Sequence, residues 1–210
     1  MRVVAMLLLV LTGCANTRAA RFADDAVLRF DRSRYADDAA VVLLREDRTN
    51  LVTGSGTQTL YARHEVIAIL GEGGRWLGQV KVPFRANWRF DHFAARIVRP
   101  DGTREEFTDT ALLSDTSGKG ERDSNARFFT FPNVTVGSVI EYEWAVEAPH
   151  AWGYDSQDTL GRYPVKEYRF ELKASKPLQL ETIVMNGGVP IEVRTASDGS
   201  HTLRFELRDL

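Results

Sequence analysis

Cysteine and histidine are scarce in this chain, with one Cys and four His among 210 residues. A single cysteine excludes an intrachain disulfide framework and a cysteine-based zinc site, because both need several thiols. Four scattered histidines leave little material for a histidine-based metal centre. We therefore expect neither a cofactor nor a bound metal.

An excess of positive charge is also lacking. Lys and Arg number 27 against 29 Asp and Glu, which gives a formal net charge of -2. Proteins that bind DNA or RNA neutralise phosphates with clustered Lys and Arg. The charge balance therefore argues against nucleic acid as a partner, while 43% hydrophobic and 27% charged residues are ordinary for a globular protein.

Common catalytic signatures are missing from the sequence. There is no G-x-S-x-G nucleophile turn and no H-E-x-x-H zinc motif, and the glycine-rich segment 54–57 lacks the Lys of a phosphate loop. His64 stands beside Glu65, but adjacent residues of a strand point to opposite faces and do not pair. We predict a chain that is not an enzyme, with no catalytic residues.

Long hydrophobic runs are absent except at the N-terminus, where Val3–Leu11 is apolar. Nine residues rise about 14 Å as a helix, too short for a hydrocarbon core of about 30 Å. Such a run after the positive Arg2 is typical of an export signal. An ordinary cleaved signal and a buried N-terminal strand are the alternatives to the interpretation that follows.

The apolar run ends in Leu11-Thr12-Gly13-Cys14, which resembles the lipobox of bacterial lipoproteins. The resemblance implies that residues 1–13 are removed as a signal peptide and that Cys14 is acylated. It further implies an exported protein held to a membrane by lipid. Ala15 after the cysteine favours the outer membrane, facing the periplasm. Residues 14–35 are predicted to form a tether with one helical turn around 26–30.

From residue 36 onward, the period of two that is typical of strands dominates. Ile140, Tyr142, Trp144 and Val146 alternate with glutamates at 141, 143 and 147, which predicts a buried face and a solvated face. The sequence from Trp76 to Phe84 alternates likewise, and the polar stretch 47–56 predicts a break between strands. We expect an all-β fold over 36–210: an antiparallel β-sandwich of ten or so strands with minor helical turns.

Aromatic residues provide the strongest indication of binding. Trp152, Tyr154 and Gln157 lie in a predicted loop after Pro149. Exposed aromatic rings offer large rigid contact area to sugars and peptides at small entropic cost. These three residues are the predicted ligand-binding site, although sandwich cores are also built from aromatics.

Several segments together resemble a known family. They are residues 36–44, Arg99-Pro-Asp-Gly-Thr103, the block Phe129-Thr-Phe-Pro-Asn-Val-Thr-Val-Gly-Ser-Val-Ile-Glu-Tyr142, and Tyr163-Pro-Val-Lys-Glu-Tyr168. The sequence is similar to the domain of unknown function 3857 family, which precedes transglutaminase-like domains in exported bacterial proteins. The resemblance implies a β-sandwich without assigned activity, followed by a papain-like domain whose Cys, His and Asp are not found in this chain.

These features together predict a non-catalytic, lipid-anchored module of the cell envelope. It would be accessory to a transglutaminase-like domain expected to begin about where the chain stops, at Leu210. The alternative is a stand-alone envelope lipoprotein that recognises peptide or glycan through exposed aromatics.

Overall fold

A computed structural model describes residues 22–25, 27–53, 56–84, 87–114, 126–149, 162–175 and 192–210. The described part of the chain is built mainly of strands. In chain order they are β1 (Ala40–Thr53), β2 (Thr57–Ile69), β3 (Gln79–Pro83), β4 (Arg89–Val98), β5 (Arg104–Thr108), β6 (Leu113–Ser114), β7 (Ala126–Thr130), β8 (Val139–Ala148), β9 (Glu167–Ala174), β10 (Glu192–Thr195) and β11 (His201–Arg208). Short 3₁₀ segments span Arg32–Tyr35, Glu72–Gly78 and Asp109–Ala111. Among the described residues, no helix is long and apolar enough to cross a membrane.

The strands form two sheets of unequal size. The large sheet has eight strands in the order β10-β11-β9-β1-β2-β8-β4-β5, and the small sheet has the order β3-β7-β6. The predicted all-β fold with few helical turns is confirmed. Antiparallel pairing dominates, but β1 and β9 pair in parallel, so the large sheet is mixed.

The main core lies between the two sheets, against what we call the inner face of the large sheet. Alternate residues of β8, from Ile140 to Val146, point into it as the sequence predicts. The small sheet contributes Phe129, whose ring centroid lies 5.2 Å from that of Phe93 and 4.8 Å from that of Phe131. Tilted and edge-on aromatic contacts at these distances add to the area buried.

Two turns of the chain each contain a glycine with positive φ. Gly102, at φ 84°, closes the turn between β4 and β5, where its N–H donates to the Arg99 carbonyl at 2.9 Å. Gly137, at φ 91°, precedes β8. Only glycine adopts such angles without steric cost, so a side chain at either position would strain the turn.

Strand β1 is longer than the sequence predicts, because it runs unbroken to Thr53 instead of ending before Asp47. Its polar residues pair across to β2, where Arg45 lies opposite Glu65 and Asp47 lies opposite Arg63. Opposite charges directly across an antiparallel pair stabilise the ladder. A polar composition therefore continues the strand here rather than ending it. Another prediction was wrong at Trp76, which lies in the 3₁₀ segment before β3 and not in the strand.

The N-terminal segment 22–35 packs against the opposite, outer face of the large sheet. Its apolar side chains cover a second cluster of buried residues formed by Val41, Leu43, Leu44, Val66 and Ala68. The side chains that provide the cover include Val27, Leu28, Phe30 and Tyr35. The described half of the predicted tether thus lies on the sheet, because it shields apolar surface that would otherwise face water.

Candidate functional site

The residues predicted from sequence to carry function lie outside the described residues. They are Cys14, the predicted lipidation site, and the predicted ligand-binding residues Trp152, Tyr154 and Gln157. The chemistry that the structure does describe is concentrated in two charged clusters within the large sheet and in one surface depression.

The outer cluster is centred on Glu141 of β8, which is only 1% exposed. Its Oε1 lies 2.7 Å from His64 Nε2, and its Oε2 accepts a hydrogen bond from Arg96 Nε at 3.0 Å. The Ala23 backbone N–H donates to the same carboxylate. The predicted solvated face of β8 is therefore wrong at Glu141, because segment 22–35 covers that face and excludes water.

Arg96 of this cluster contacts two residues of the N-terminal segment. Arg96 donates through Nη2 to the Ala23 carbonyl at 3.1 Å, and its guanidinium lies 4.7 Å from the centroid of the Phe22 ring. A guanidinium over an aromatic face is attracted by the ring quadrupole. Arg96 thus joins the buried carboxylate to the segment that covers it.

The inner cluster lies on the other face of the large sheet, on residues of β1, β2, β8 and β9. Arg45 Nε donates to Glu65 Oε1 at 2.7 Å, and the Tyr142 hydroxyl donates to Glu65 Oε2. Next to this pair, Arg63 holds Asp47 with two hydrogen bonds of 2.7 and 3.0 Å. The planar guanidinium matches a carboxylate in this two-bond geometry.

Tyr168 of β9 completes the inner cluster. Its hydroxyl donates to Asp47 Oδ2 at 3.3 Å, and the residue is fully buried. Burial raises the pKa of Tyr168, and the negative charge of Asp47 raises it further. The pKa of Tyr142 is raised for the same reasons, by burial and by Glu65. Both phenols stay protonated and act as hydrogen-bond donors well above neutral pH.

The two clusters therefore satisfy their own charges. Each buried carboxylate of the described chain, at positions 47, 65 and 141, has an arginine in hydrogen-bond contact. Within the same described part, no group of three or more His, Cys, Asp and Glu residues is placed to hold a metal ion. Paired, buried carboxylates such as these hold a sheet in register.

The surface depression lies beside the 3₁₀ segment Glu72–Gly78 and has a volume of about 470 Å³. Its floor includes the buried side chains of Phe131 and Val134, and Trp76 stands at its side with 53% of its surface exposed. The remaining lining residues are Glu72, Arg75, Gly78, Gln79, Thr130 and Asn133. The depression is open and is lined by both polar and aromatic side chains.

Sequence reasoning missed these groupings for identifiable reasons. His64 was predicted not to pair with its neighbour Glu65, and indeed it pairs with Glu141 instead. That contact needs the register of β2 against β8, which places Val66 opposite Glu141 and brings His64 alongside it. The block 129–142 could have indicated the clusters, since it contains Glu141 of the outer cluster and Tyr142 of the inner cluster.

Most of the chain matches a known protein family. The family described as "Domain of Unknown Function with solved-structure structure (DUF3857)" matches residues 55–210. The chain belongs to the DUF3857 family. The match includes the glutamates and tyrosines of both clusters on β2, β8 and β9, whereas β1 and the N-terminal segment precede it. No curated protein matches the sequence.

A solved structure shares the fold of this DUF3857 chain. A crystal structure described as a putative protease from Parabacteroides distasonis matches with a TM-score of 0.69 at 12% identity, over 82% of this chain and 36% of that one. Legionella pneumophila aminopeptidase A, in complex with aspartic acid, gives a TM-score of 0.41 at 9% identity, over 81% and 20% of the two chains. The chain thus spans about a third of the Parabacteroides protein's length.

Replacing Glu141 tests the outer cluster. In Glu141→Gln, Arg96 keeps its charge in a buried site but loses its counter-ion, so we expect the free energy of unfolding to fall by about 3–5 kcal/mol. Urea denaturation measures this loss. Because the Ala23 contact also weakens, trypsin should cut after Arg29 faster than in the unmodified protein.

The matched control is Glu192→Gln on β10, which removes an exposed carboxylate paired with Arg194. An exposed pair contributes little, so the loss there should stay below about 1 kcal/mol. Equal losses in the two variants would contradict the assignment of Glu141 as the centre of a buried cluster.

The tyrosines of the inner cluster predict loss of stability in alkali. Above the ordinary tyrosine pKa of 10.0, an unfolded chain releases phenol protons that the folded DUF3857 domain retains. Stability is therefore unaffected by these groups below about pH 10 and falls above it, by about 1.4 kcal/mol per pH unit for each tyrosine.

The measurement compares the unfolding free energy at about pH 9 and about pH 11 in the unmodified protein and in Tyr142→Phe with Tyr168→Phe. The double variant should be less stable at neutral pH, by about 1 kcal/mol for each lost hydrogen bond, and should depend less steeply on pH. An unchanged alkaline slope would show that the two phenols do not have raised pKa values.

Proposed function

We propose that this chain is a non-catalytic, lipid-anchored module of the bacterial cell envelope, accessory to a transglutaminase-like domain. Membership of the DUF3857 family over residues 55–210 supports the proposal. The solved structure from Parabacteroides distasonis also supports it. The shared fold makes up 36% of that chain, so in that protein it accompanies other parts.

The observation that carries the non-catalytic part of the proposal is that the buried carboxylates are hydrogen-bonded to other groups of the protein. A general base needs a lone pair within hydrogen-bond reach of substrate. Glu65 and Glu141 instead direct both oxygens to protein donors, and Asp47 receives two bonds from one arginine. Residues arranged in this way stabilise a scaffold, and their burial keeps their oxygens away from a substrate in solution.

The anchor follows from the sequence motif, and the fold limits its reach. Between Cys14 and Ala23 there are nine residue steps (23 − 14 = 9), and a fully extended chain spans at most about 3.6 Å per residue, or about 32 Å. Ala23 itself is fixed to Glu141 on the outer face. A lipid on Cys14 would therefore hold the module close to the membrane surface.

A stand-alone binding lipoprotein is the second candidate function. The observation in its favour is the depression beside Trp76, where a large aromatic side chain is 53% exposed. Under either function the chain would recognise a partner and leave covalent chemistry to another protein or domain.

Absence of turnover is the first expected outcome. The purified full chain, incubated with peptide, isopeptide and glycan-ester substrates, should release no product above the rate of a heat-denatured sample. Mass spectrometry of the reaction mixtures is the measurement. Turnover that a single substitution, such as Glu141→Gln or Glu65→Gln, abolishes without unfolding the protein would overturn the non-catalytic proposal.

Lipidation is the second expected outcome. In a Gram-negative host the full chain should fractionate with membranes and carry diacylglycerol on Cys14, which intact-mass spectrometry detects after detergent extraction. Cys14→Ser should move most of the protein to the soluble periplasmic fraction, because two or three acyl chains provide the durable attachment. Ala15→Asp is the control for sorting between membranes, since it leaves the cysteine in place. A Cys14→Ser variant that stays fully membrane-bound would contradict the anchor.

A further inference from the structure

Trp76 is an exposed aromatic ring that the protein holds in a fixed position. Its indole Nε1–H donates to the Tyr163 hydroxyl at 3.1 Å, and that hydroxyl donates to the Gly73 carbonyl at 3.0 Å. The centroids of the two rings are 6.4 Å apart, with their planes inclined at 40°. Leaving more than half of a tryptophan in water forgoes hydrophobic stabilisation, and the hydrogen-bond chain orients the ring instead of burying it.

Polar groups surround this ring without creating a net charge. Arg75 Nη1 donates to Glu72 Oε2 at 2.9 Å, so the two charged side chains at the rim neutralise each other. Arg75 Nε also donates to the Val134 carbonyl at 2.8 Å, which fixes the guanidinium in place. Gln79 and Asn133, which are exposed, add amide groups to the lining of the depression.

We propose that this depression binds a neutral oligosaccharide, with one sugar ring stacked on Trp76. The C–H groups on one face of a pyranose are weakly positive and complement the negative face of an indole. The side-chain amides can donate and accept hydrogen bonds, and the guanidinium can donate them, so neighbouring sugar hydroxyls would find both kinds of partner. A volume of about 470 Å³ lies within the range of small-ligand sites. The inference deepens the proposed binding role, on which it rests.

The strand beside the depression argues for a sugar over a peptide. Strand β3 begins at Gln79 and, among the described strands, pairs only with β7. A peptide that added to its other edge would meet Lys81 and Pro83, and proline has no N–H to donate. Main-chain recognition by strand addition is thus disfavoured here, whereas stacking on Trp76 needs no free edge.

Isothermal titration calorimetry of the full chain tests the site. The probes are tetra-N-acetylchitotetraose and cellotetraose as neutral sugars, with tetra-alanine as the peptide. We expect at least one tetrasaccharide to bind and tetra-alanine not to bind. Trp76→Ala should raise Kd at least tenfold, as is common for a central aromatic contact, and Trp76→Phe should weaken binding less because a ring remains.

The matched control is Leu113→Ala, which truncates another exposed apolar side chain outside the depression and should leave Kd unchanged. Thermal unfolding establishes that each variant is folded, and Gln79→Ala replaces Trp76→Ala as the test if the latter does not fold. Binding of neither sugar, Trp76-dependent binding of tetra-alanine, or equal weakening by Leu113→Ala would each overturn the proposal.

The experiment separates this proposal from the function on which it rests. Binding accompanied by cleavage of the tetrasaccharide would support the sugar site and contradict the non-catalytic function. Neither binding nor cleavage would overturn the sugar site and leave the accessory-module function standing.

Discussion

The buried carboxylate of Glu141 connects the parts of this structure. It lies on β8, receives hydrogen bonds from Arg96 on the neighbouring β4 and from the Ala23 backbone, and contacts His64 on β2. A buried charge is costly unless it is paired and hydrogen-bonded. A shift of one residue between these strands would turn the carboxylate to the inner face and away from Arg96 and Ala23, so the pairing selects one register for the sheet centre.

The large sheet has a second charged cluster on its other face, and the two clusters share strands β2 and β8. His64 and Glu65 are consecutive on β2 but belong to different clusters. Glu141 and Tyr142, which are consecutive on β8, are divided between the two clusters in the same way. Because side chains alternate across a strand, one register satisfies both clusters at once. The polar end of β1 belongs to this arrangement, since Asp47 lies in the continued strand and accepts a hydrogen bond from the Tyr168 hydroxyl on β9.

The sequence was informative wherever one face of a strand is buried and the chain reverses at a glycine. The apolar side of β8, the turn at Gly102 and the mainly antiparallel fold were all predictable from alternation and turn residues. The burial of Glu141 was not predictable from the sequence. Alternation of polar and apolar residues cannot distinguish a face open to water from a face covered by residues more than a hundred positions away. The length of β1 was misjudged because paired charges look like a loop when their partners on β2 are not considered.

Trp76 shows the same limit at the surface. Its spacing from Val80 and Val82 fits a strand, yet the turn around Gly74 carries it into a 3₁₀ segment and leaves the ring in solvent. The ring is positioned by Tyr163, and two residues further on Val165 exchanges backbone hydrogen bonds of 3.0 and 2.9 Å with Leu210. The short segment 163–165 therefore contacts both the exposed ring of Trp76 and the backbone of Leu210.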